Sequence, residues 1–187
     1  ELHEVFADWN KGELNSYLIA ITADIFKKID NDTGRYLVDM ILDTAGQKGT
    51  GIWTGQVSLE LAVPVPTITS AVYERFISAM KNERTKAAKI LKGPAALEKK
   101  DKDFIEAIRR ALYASKICAY AQGFGLMRAA SEKYFWNLKY ADIAKIFRGG
   151  CIIRAQFLNL ISKAFSQDPT LPNLMLADYF RDILNEY

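Results

Sequence analysis

The sequence contains very little cysteine and histidine. Its only two cysteines, Cys118 and Cys151, each lie in an apolar helical run, and His3 is the single histidine in 187 residues. Structural zinc sites use four Cys or His ligands, so no zinc site is expected. The cysteines are expected to be reduced core residues of a cytoplasmic protein, and not a disulfide pair.

Long apolar runs and a strong charge imbalance are also missing. No segment of about 18 apolar residues occurs and no signal peptide opens the chain, so neither a membrane span nor secretion is expected. The formal net charge of +3 is small. The basic residues Arg109, Arg110 and Lys116 are dispersed, without the basic stripe that nucleic-acid binding needs. We therefore expect neither a membrane nor a nucleic acid as partner.

Strand-length alternation of apolar and polar residues is absent, whereas apolar residues recur at helical spacing along the chain. The sequence therefore predicts an all-α protein of about eight to ten helices, organised as a single domain over residues 1–187. Helical spacing is already present at Leu2, Val5 and Phe6, which predicts a fragment of a longer protein. The main predicted helices cover residues 13–30, 54–61, 68–91, 102–134, 151–165 and 176–187.

Two stretches of the sequence match each other and indicate an internal helical-hairpin duplication. Each begins with an aromatic residue and a glycine break, at residues 9–12 and 147–150. Each continues as a long amphipathic helix. The matching apolar positions are Leu18, Ile19 and Phe26 in the first stretch and Phe157, Leu158 and Phe165 in the second. From the pattern alone, a chance match of two hairpins stays open.

Glycines cluster in one stretch, at Gly46, Gly49 and Gly51, with Lys48 and Thr50 between them. Glycine lets backbone N–H groups approach a ligand closely, and successive N–H groups can surround an anion. Lys48 adds a mobile positive charge and Thr50 a hydroxyl donor. The stretch therefore suits a phosphate or a carboxylate, although its spacing is neither that of a P-loop nor that of a dinucleotide fingerprint. A purely structural loop between helices is the alternative interpretation.

One string of residues is distinctive. Residues 43–51 read Asp-Thr-Ala-Gly-Gln-Lys-Gly-Thr-Gly, and Trp53-Thr54 follow shortly after. Together with blocks at residues 9–19, 63–68, 77–81 and 148–158, this string resembles the 6-phosphogluconate dehydrogenase family. The resemblance covers essentially the whole chain, and it matches the central part of the family's C-terminal helical domain. It implies that domain's all-helical fold, including its duplicated hairpin.

The resemblance implies oxidoreductase chemistry in the pentose phosphate pathway and in gluconate utilization. Enzymes of this family use NADP to oxidise the C3 hydroxyl of 6-phosphogluconate, and the β-keto acid then loses carbon dioxide to give ribulose 5-phosphate. No metal is implied, since a protonated lysine and hydrogen bonds polarise the developing oxyanion. By the family pattern, Lys48, Thr50 and Arg75 bind the substrate phosphate. Its local surroundings alone would instead make Arg75 a solvated arginine.

The resemblance also implies what the chain does not carry. The family binds NADP mainly through an N-terminal domain, and its catalytic lysine and glutamate precede Glu1, so no catalytic residue is assigned here. This fragment alone is expected to be inactive. A tail that lends an arginine and a histidine to the other subunit of the homodimer would follow Tyr187. The small-residue stretch 111–125 is a candidate seam for helix packing within that dimer scaffold.

Two positions depart from the family pattern. Ile52 stands where the family usually has lysine, and Ala20 where it usually has glutamate. We hypothesise that the two form an apolar contact where relatives have an ion pair. These departures keep open a non-catalytic helical interaction module with a degenerate phosphate site, against which the intact glycine loop argues. Another β-hydroxyacid dehydrogenase is a further alternative, but the distinctive string argues against it.

Overall fold

The computed structural model describes residues 1–95 and 102–187. Within these residues there are nine α-helices, two short 3₁₀-helices and no strand, so the predicted all-α fold is confirmed. The α-helices are α1 (Leu2–Trp9), α2 (Tyr17–Lys27), α3 (Thr50–Glu60), α4 (Pro66–Ala79), α5 (Lys81–Ile90), α6 (Lys102–Tyr134), α7 (Tyr140–Ile146), α8 (Phe157–Gln167) and α9 (Asp178–Glu186). The 3₁₀-helices are Leu37–Met40 and Leu174–Leu176.

The chain forms two compact units. The first contains residues 1–41 and 136–186, and the second contains residues 42–135 together with Tyr187. The organisation of the whole chain as a single domain stays a prediction. Among the described residues, no helix combines the length and apolar character that a membrane crossing requires.

The first unit is built on two helical hairpins. Helix α1 packs on α2 through the stacked rings of Phe6 and Phe26, whose centroids lie 5.7 Å apart. Helix α7 packs on α8. In the core, the ring of Phe157 on α8 lies 5.3 Å from the ring of Phe180 on α9. The apolar residues of α8 recur every three to four positions and are buried, which accounts for its orientation. They are Phe157, Leu158, Ile161, Ala164 and Phe165.

An isolated antiparallel bridge joins Ser16 and Ala155, just before α2 and α8. The Tyr17 N–H donates to the Arg154 carbonyl at 3.1 Å, and the Gln156 N–H donates to the Asn15 carbonyl at 3.3 Å. These bonds are reciprocal. In the sequence repeat Ser16 corresponds to Ala155, so the bridge pairs equivalent positions of the two hairpins, as an internal two-fold relation would.

This bridge explains two helix starts that the sequence placed too early. Helix α2 begins at Tyr17 and not near residue 13, because Ser16 is extended and its Oγ accepts the Ile19 N–H at 3.2 Å. Helix α8 begins at Phe157 and not at residue 151, since the backbone before it is used in the bridge. The predicted long helix over residues 102–134 is confirmed as α6.

The second unit consists of α3, α4, α5 and α6. Helix α4 packs against both α3 and α6. Gln122 on α6 accepts the backbone N–H of Thr67 and donates to the Thr67 hydroxyl, each at 2.9 Å. This pair satisfies one of the N–H groups at the start of α4 that have no partner within the helix. It thereby fixes the N-terminal end of α4, which begins at Pro66.

The predicted helix over residues 68–91 was wrong, because the structure divides it at Met80. Met80 has a non-helical backbone, with φ −82° and ψ 43°. Its N–H closes a tight turn onto the Ile77 carbonyl at 3.1 Å, while the Ser78 carbonyl accepts a side-chain donor, Arg84 Nη2, at 3.0 Å. The helix therefore gives way to a corner between α4 and α5.

The candidate seam along residues 111–125 concerns contacts with a second subunit and stays a prediction, but within this chain its glycines make no close contact. A Cβ atom added at Gly123 or Gly125 would meet nothing within 4 Å. The buried positions of this stretch are Tyr113, Ile117, Ala121 and Phe124. The larger side chains therefore make the core contacts of α6 within the second unit.

Candidate functional site

The glycine-rich stretch forms the loop that leads into α3. The helix begins at Thr50, four residues earlier than the predicted start at residue 54. Thr54 instead lies inside the helix, where its hydroxyl donates to the Thr50 carbonyl at 2.9 Å. The Trp53 N–H makes the first bond of the helix, to the Gly49 carbonyl at 3.0 Å. Lys48 and Thr50 thus flank a helix N-terminus.

Gly49 provides the backbone turn into this helix. It occupies the cap position with φ +99°, a left-handed conformation that side chains other than glycine rarely adopt. Its own N–H donates to Gln47 Oε1 at 3.2 Å. The first turn of α3 carries no acidic residue. The N–H groups and the positive end of the helix dipole therefore favour an anion at this end.

Gly51 allows α3 and α4 to approach each other closely. A Cβ atom at this position would lie 2.7 Å from Cγ2 of Val72, which is nearer than real Cβ atoms approach. Val72 is three residues before Arg75 on the same helix. The small size of Gly51 therefore sets the position of the helix that carries Arg75.

Arg75 reaches the loop directly. Its Nη1 donates to the carbonyl oxygen of Gly46 at 2.8 Å, although the two residues are 29 positions apart. The contact uses the backbone carbonyl of Gly46. An added Cβ at Gly46 would meet nothing within 4 Å. The structure thus brings Arg75 to the loop that carries Lys48 and Thr50.

All three predicted phosphate ligands have exposed side chains, Lys48, Thr50 and Arg75. The ammonium of Lys48 bonds no other residue in the described part of the chain. A lysine beside a helix N-terminus, with a guanidinium held at the same loop, provides the point charge and planar fork that suit a phosphate dianion.

Three residues for which the sequence predicted no role, Ser78, Lys81 and Arg84, hold the start of the loop. Asp43 pairs with Lys81 and with Arg84, and Ala45 donates its N–H to the hydroxyl of Ser78 at 3.0 Å. Ser78, Lys81 and Arg84 recur every third residue, which places them on one side of the α4–α5 corner. That spacing is visible in the sequence, but no neighbouring residue indicates that these three side chains contact the loop.

An open cavity of about 500 Å³ lies between α3 and α4. Its wall combines residues of both helices with the extended segment that joins them. Ile52, the residue that departs from the family pattern, is part of this mainly apolar wall, together with Leu59, Val63, Val65, Val72, Tyr73 and Phe76. Ala20 lies on α2 in the first unit, and its pairing with Ile52 stays a prediction.

A second charged cluster lies on α6. Hydrogen bonds from Arg109, which has the larger effect, and from Arg110 lower the pKa of Glu106 from 4.5 to about 2. Both guanidinium groups also lie over the ring of Tyr187, at 5.4 and 5.2 Å from its centre. The two arginines thus share one carboxylate, that of Glu106. No group of three or more His, Cys, Asp or Glu side chains in the described residues is placed to hold a metal ion.

Known proteins resemble this chain over its whole length. A family model described as 6-phosphogluconate dehydrogenase, C-terminal domain, matches residues 1–187. The chain is 61% identical over 189 aligned residues to the NADP(+)-dependent, decarboxylating 6-phosphogluconate dehydrogenase of Bacillus subtilis. It is 56% identical over 188 residues to the decarboxylating 6-phosphogluconate dehydrogenase of Escherichia coli K12. Both alignments cover 100% of this chain but only 40% of the relative.

A solved structure has the same fold. The 6-phosphogluconate dehydrogenase of Plasmodium falciparum superposes with a TM-score of 0.93 at 45% sequence identity. The superposition covers 99% of this chain and 40% of the Plasmodium chain. That enzyme was solved in its apo form, with its cofactor NADP+ and with its substrate 6-phosphogluconate.

Proposed function

The chain belongs to the 6-phosphogluconate dehydrogenase C-terminal domain family, and from that premise we propose that it is the helical substrate-binding and dimerisation part of such an enzyme. The enzyme would be NADP-dependent and would convert 6-phosphogluconate to ribulose 5-phosphate with loss of carbon dioxide. The observation that carries the proposal is the bond from Arg75 to Gly46, which joins a guanidinium to the loop of Lys48 and Thr50.

In this proposal the loop binds the phosphate group of the substrate. Lys48 contributes a positive point charge, and Thr50 contributes its hydroxyl and the N–H groups at the start of α3. Arg75 donates to a phosphate oxygen while its Nη1 stays on the Gly46 carbonyl. Charge-assisted bonds of this kind contribute on the order of 1.5–3 kcal/mol each. The three groups hold the phosphate end of the substrate. The reaction then takes place on the carbon chain, at groups that this chain does not carry.

The sequence has no dinucleotide fingerprint, so its residues do not fit NADP as a complete site. We assign the cofactor, which accepts the hydride, to the part of the relatives that this chain does not span. The catalytic lysine and glutamate belong there too, and the isolated chain is inactive in this proposal. Homodimeric assembly and a cytoplasmic location belong to the same proposal.

Calorimetric titration tests the phosphate site. The chain is titrated with 6-phosphogluconate and, separately, with inorganic phosphate, and Lys48→Ala and Arg75→Ala are compared with it. Arg35→Ala is a matched control, because Arg35 is exposed and its guanidinium bonds no described residue. The proposal expects both ligands to bind, and binding to be lost in the two site variants only.

The same substitutions are then placed in a chimera. In it, this chain replaces the aligned segment of the Bacillus subtilis enzyme, which supplies the remaining residues. The proposal expects NADP reduction with 6-phosphogluconate in the chimera and a raised KM in both site variants. A folded chimera with no activity, and no phosphate binding by any form, would instead support the non-catalytic helical module.

A further inference from the structure

The loop of the proposed phosphate site is held at its start by a single arginine. Arg84 Nη2 donates to the carbonyl oxygens of Asp43 and Ser78, at 2.8 and 3.0 Å. Its Nη1 lies 3.4 Å from Oδ2 of Asp43. One guanidinium therefore joins the backbone before the glycine loop to the last turn of α4.

Two further contacts reinforce this junction. The ammonium of Lys81 pairs with the Asp43 carboxylate. The hydroxyl of Ser78 accepts the Ala45 N–H at 3.0 Å, so the residue directly before Gly46 is also held. Together Ser78, Lys81 and Arg84 form what we call the corner clamp. All its bonds to the loop are made at Asp43 and Ala45.

The corner clamp lies next to the proposed ligands without being one of them. Ser78 follows Arg75 by three residues, about one helical turn. Arg75 binds the loop at Gly46, and the clamp binds it at Asp43 and Ala45. The loop is thus attached to α4 and α5 at successive points, and these attachments fix the backbone position from which the Lys48 side chain extends.

The geometry of Arg84 shows that these bonds decide its position. Its side chain is 33% exposed, while its Nε is buried and bonds no described atom. A buried donor without a partner is unfavourable. The guanidinium is therefore held by the bonds of its two terminal nitrogens, and a residue of different shape would not reproduce them.

We propose that Arg84, acting with Asp43, is a positioning residue for the phosphate-binding loop. It sets the distance between Lys48 on the loop and Arg75 on α4 without contacting the substrate. This inference rests on the proposed function. It goes beyond that function by assigning phosphate affinity to a pair of residues that hold the start of the loop.

The test uses the chimeric enzyme with Arg84→Lys and Asp43→Asn. Lysine keeps the charge but lacks the planar fork that joins two carbonyls and a carboxylate. Asparagine keeps the shape of Asp43 but removes its charge. We expect each variant to raise the KM for 6-phosphogluconate and the Kd for inorganic phosphate by about tenfold, since small displacements of binding groups have large effects. The kcat should stay within about twofold, because no reacting group is moved.

Gluconate, which has no phosphate, separates positioning from general loss of structure. Its inhibition constant should be the same in both variants as in the unsubstituted chimera. Lys86→Ala is the matched control on α5, since Lys86 is exposed and bonds no described residue. It should change neither KM nor Kd. If Arg84→Lys fails to fold, Asp43→Asn decides the result.

Two results would overturn the inference while leaving the proposed function intact. In the first, Lys48→Ala and Arg75→Ala lose phosphate binding but Arg84→Lys and Asp43→Asn bind phosphate normally. In the second, both clamp variants weaken gluconate and phosphate equally, which would show a merely structural role. If the unsubstituted chimera folds and binds no phosphate, the proposed function fails and the inference fails with it.

Discussion

Arg75 on α4 donates a hydrogen bond from Nη1 to the carbonyl oxygen of Gly46 at 2.8 Å. This bond uses one nitrogen of the guanidinium and orients the rest of the planar group beside the loop. The side chain that is proposed to bind phosphate is therefore held in place by the same loop that carries the other ligands. Such preorganisation lowers the cost of ordering a side chain on binding.

Replacing this arginine by lysine should therefore weaken phosphate binding even though the charge is kept. We expect Arg75→Lys to lower affinity for inorganic phosphate by about tenfold, since one ammonium cannot reproduce the fork that bonds Gly46 and a phosphate oxygen together. Titration calorimetry measures the change. Equal affinity in Arg75→Lys and the unsubstituted chain would show that charge alone is sufficient.

Gly51→Ala should destabilise the second unit. The added methyl group would lie 2.7 Å from Cγ2 of Val72 and would push α3 from α4. Overpacking of this kind typically costs about 1–3 kcal/mol. Urea denaturation of the chain gives the free energy of unfolding.

Two further variants test that explanation. Val72→Ala added to Gly51→Ala should recover part of the lost stability, because it removes the atom in conflict. Gly46→Ala is the control without a neighbour within 4 Å and should change little. A Gly51→Ala chain as stable as the parent would contradict the close approach of the two helices.

Gly49→Ala should be unfavourable for a different reason, its backbone conformation. No atom lies within 4 Å of an added Cβ, but φ is +99°. Forcing a side chain into the left-handed region costs about 1–2 kcal/mol. Gly49→Asn should lose less stability than Gly49→Ala, since asparagine tolerates this region better. Thermal unfolding of the three proteins ranks them, and the reverse order would argue against strain at this turn.

Glu106→Gln should change stability in a pH-dependent way. Bonds from Arg109 and Arg110 lower the pKa of Glu106 to about 2 in the folded chain, from 4.5. A lowered pKa means that the ionised form stabilises the fold fully above about pH 4.5, and that this contribution disappears as the pH falls toward 2. The effect is small, because Glu106 is 43% exposed and water screens the pairs.

Melting temperatures measured at pH 7 and at several values below 4.5 test this prediction. Glu106→Gln should lower the melting temperature at pH 7, and the difference from the parent should shrink as the pH falls. Glu60→Gln is the control, since Glu60 is exposed on α3 and bonds no described residue. A difference that grows at low pH would contradict the assignment of the stabilising charge to Glu106.

Apolar periodicity was sufficient to predict the fold class and the longest helix, α6. It failed where contacts between distant residues override local preference. Nothing near Met80 shows that Arg84 bonds the Ser78 carbonyl, so the division into α4 and α5 was missed. Likewise, nothing near Ala155 shows that its neighbours pair with Asn15 and Tyr17, so the start of α8 was placed too early.

The residues of the candidate site also differ in whether the sequence could predict them. The loop with Lys48 and Thr50 was visible in the sequence, because glycines and donors lie within a few residues. Arg75 entered only through the family resemblance, since the 29 positions between it and Gly46 hide their contact. Asp43 opens the distinctive string at residues 43–51, but Arg84 is 41 positions away and nothing in the sequence pairs the two.

The bridge between Ser16 and Ala155 has a kinetic consequence. The two helices of each hairpin are close together in the sequence, whereas the bridge closes a loop that comprises most of the chain. The entropy of closing a loop rises only with the logarithm of its length, so an insertion between the hairpins would cost little stability. High sequence separation nonetheless slows folding. Joining the two hairpins is therefore expected to be a late event during folding, after the local helices exist.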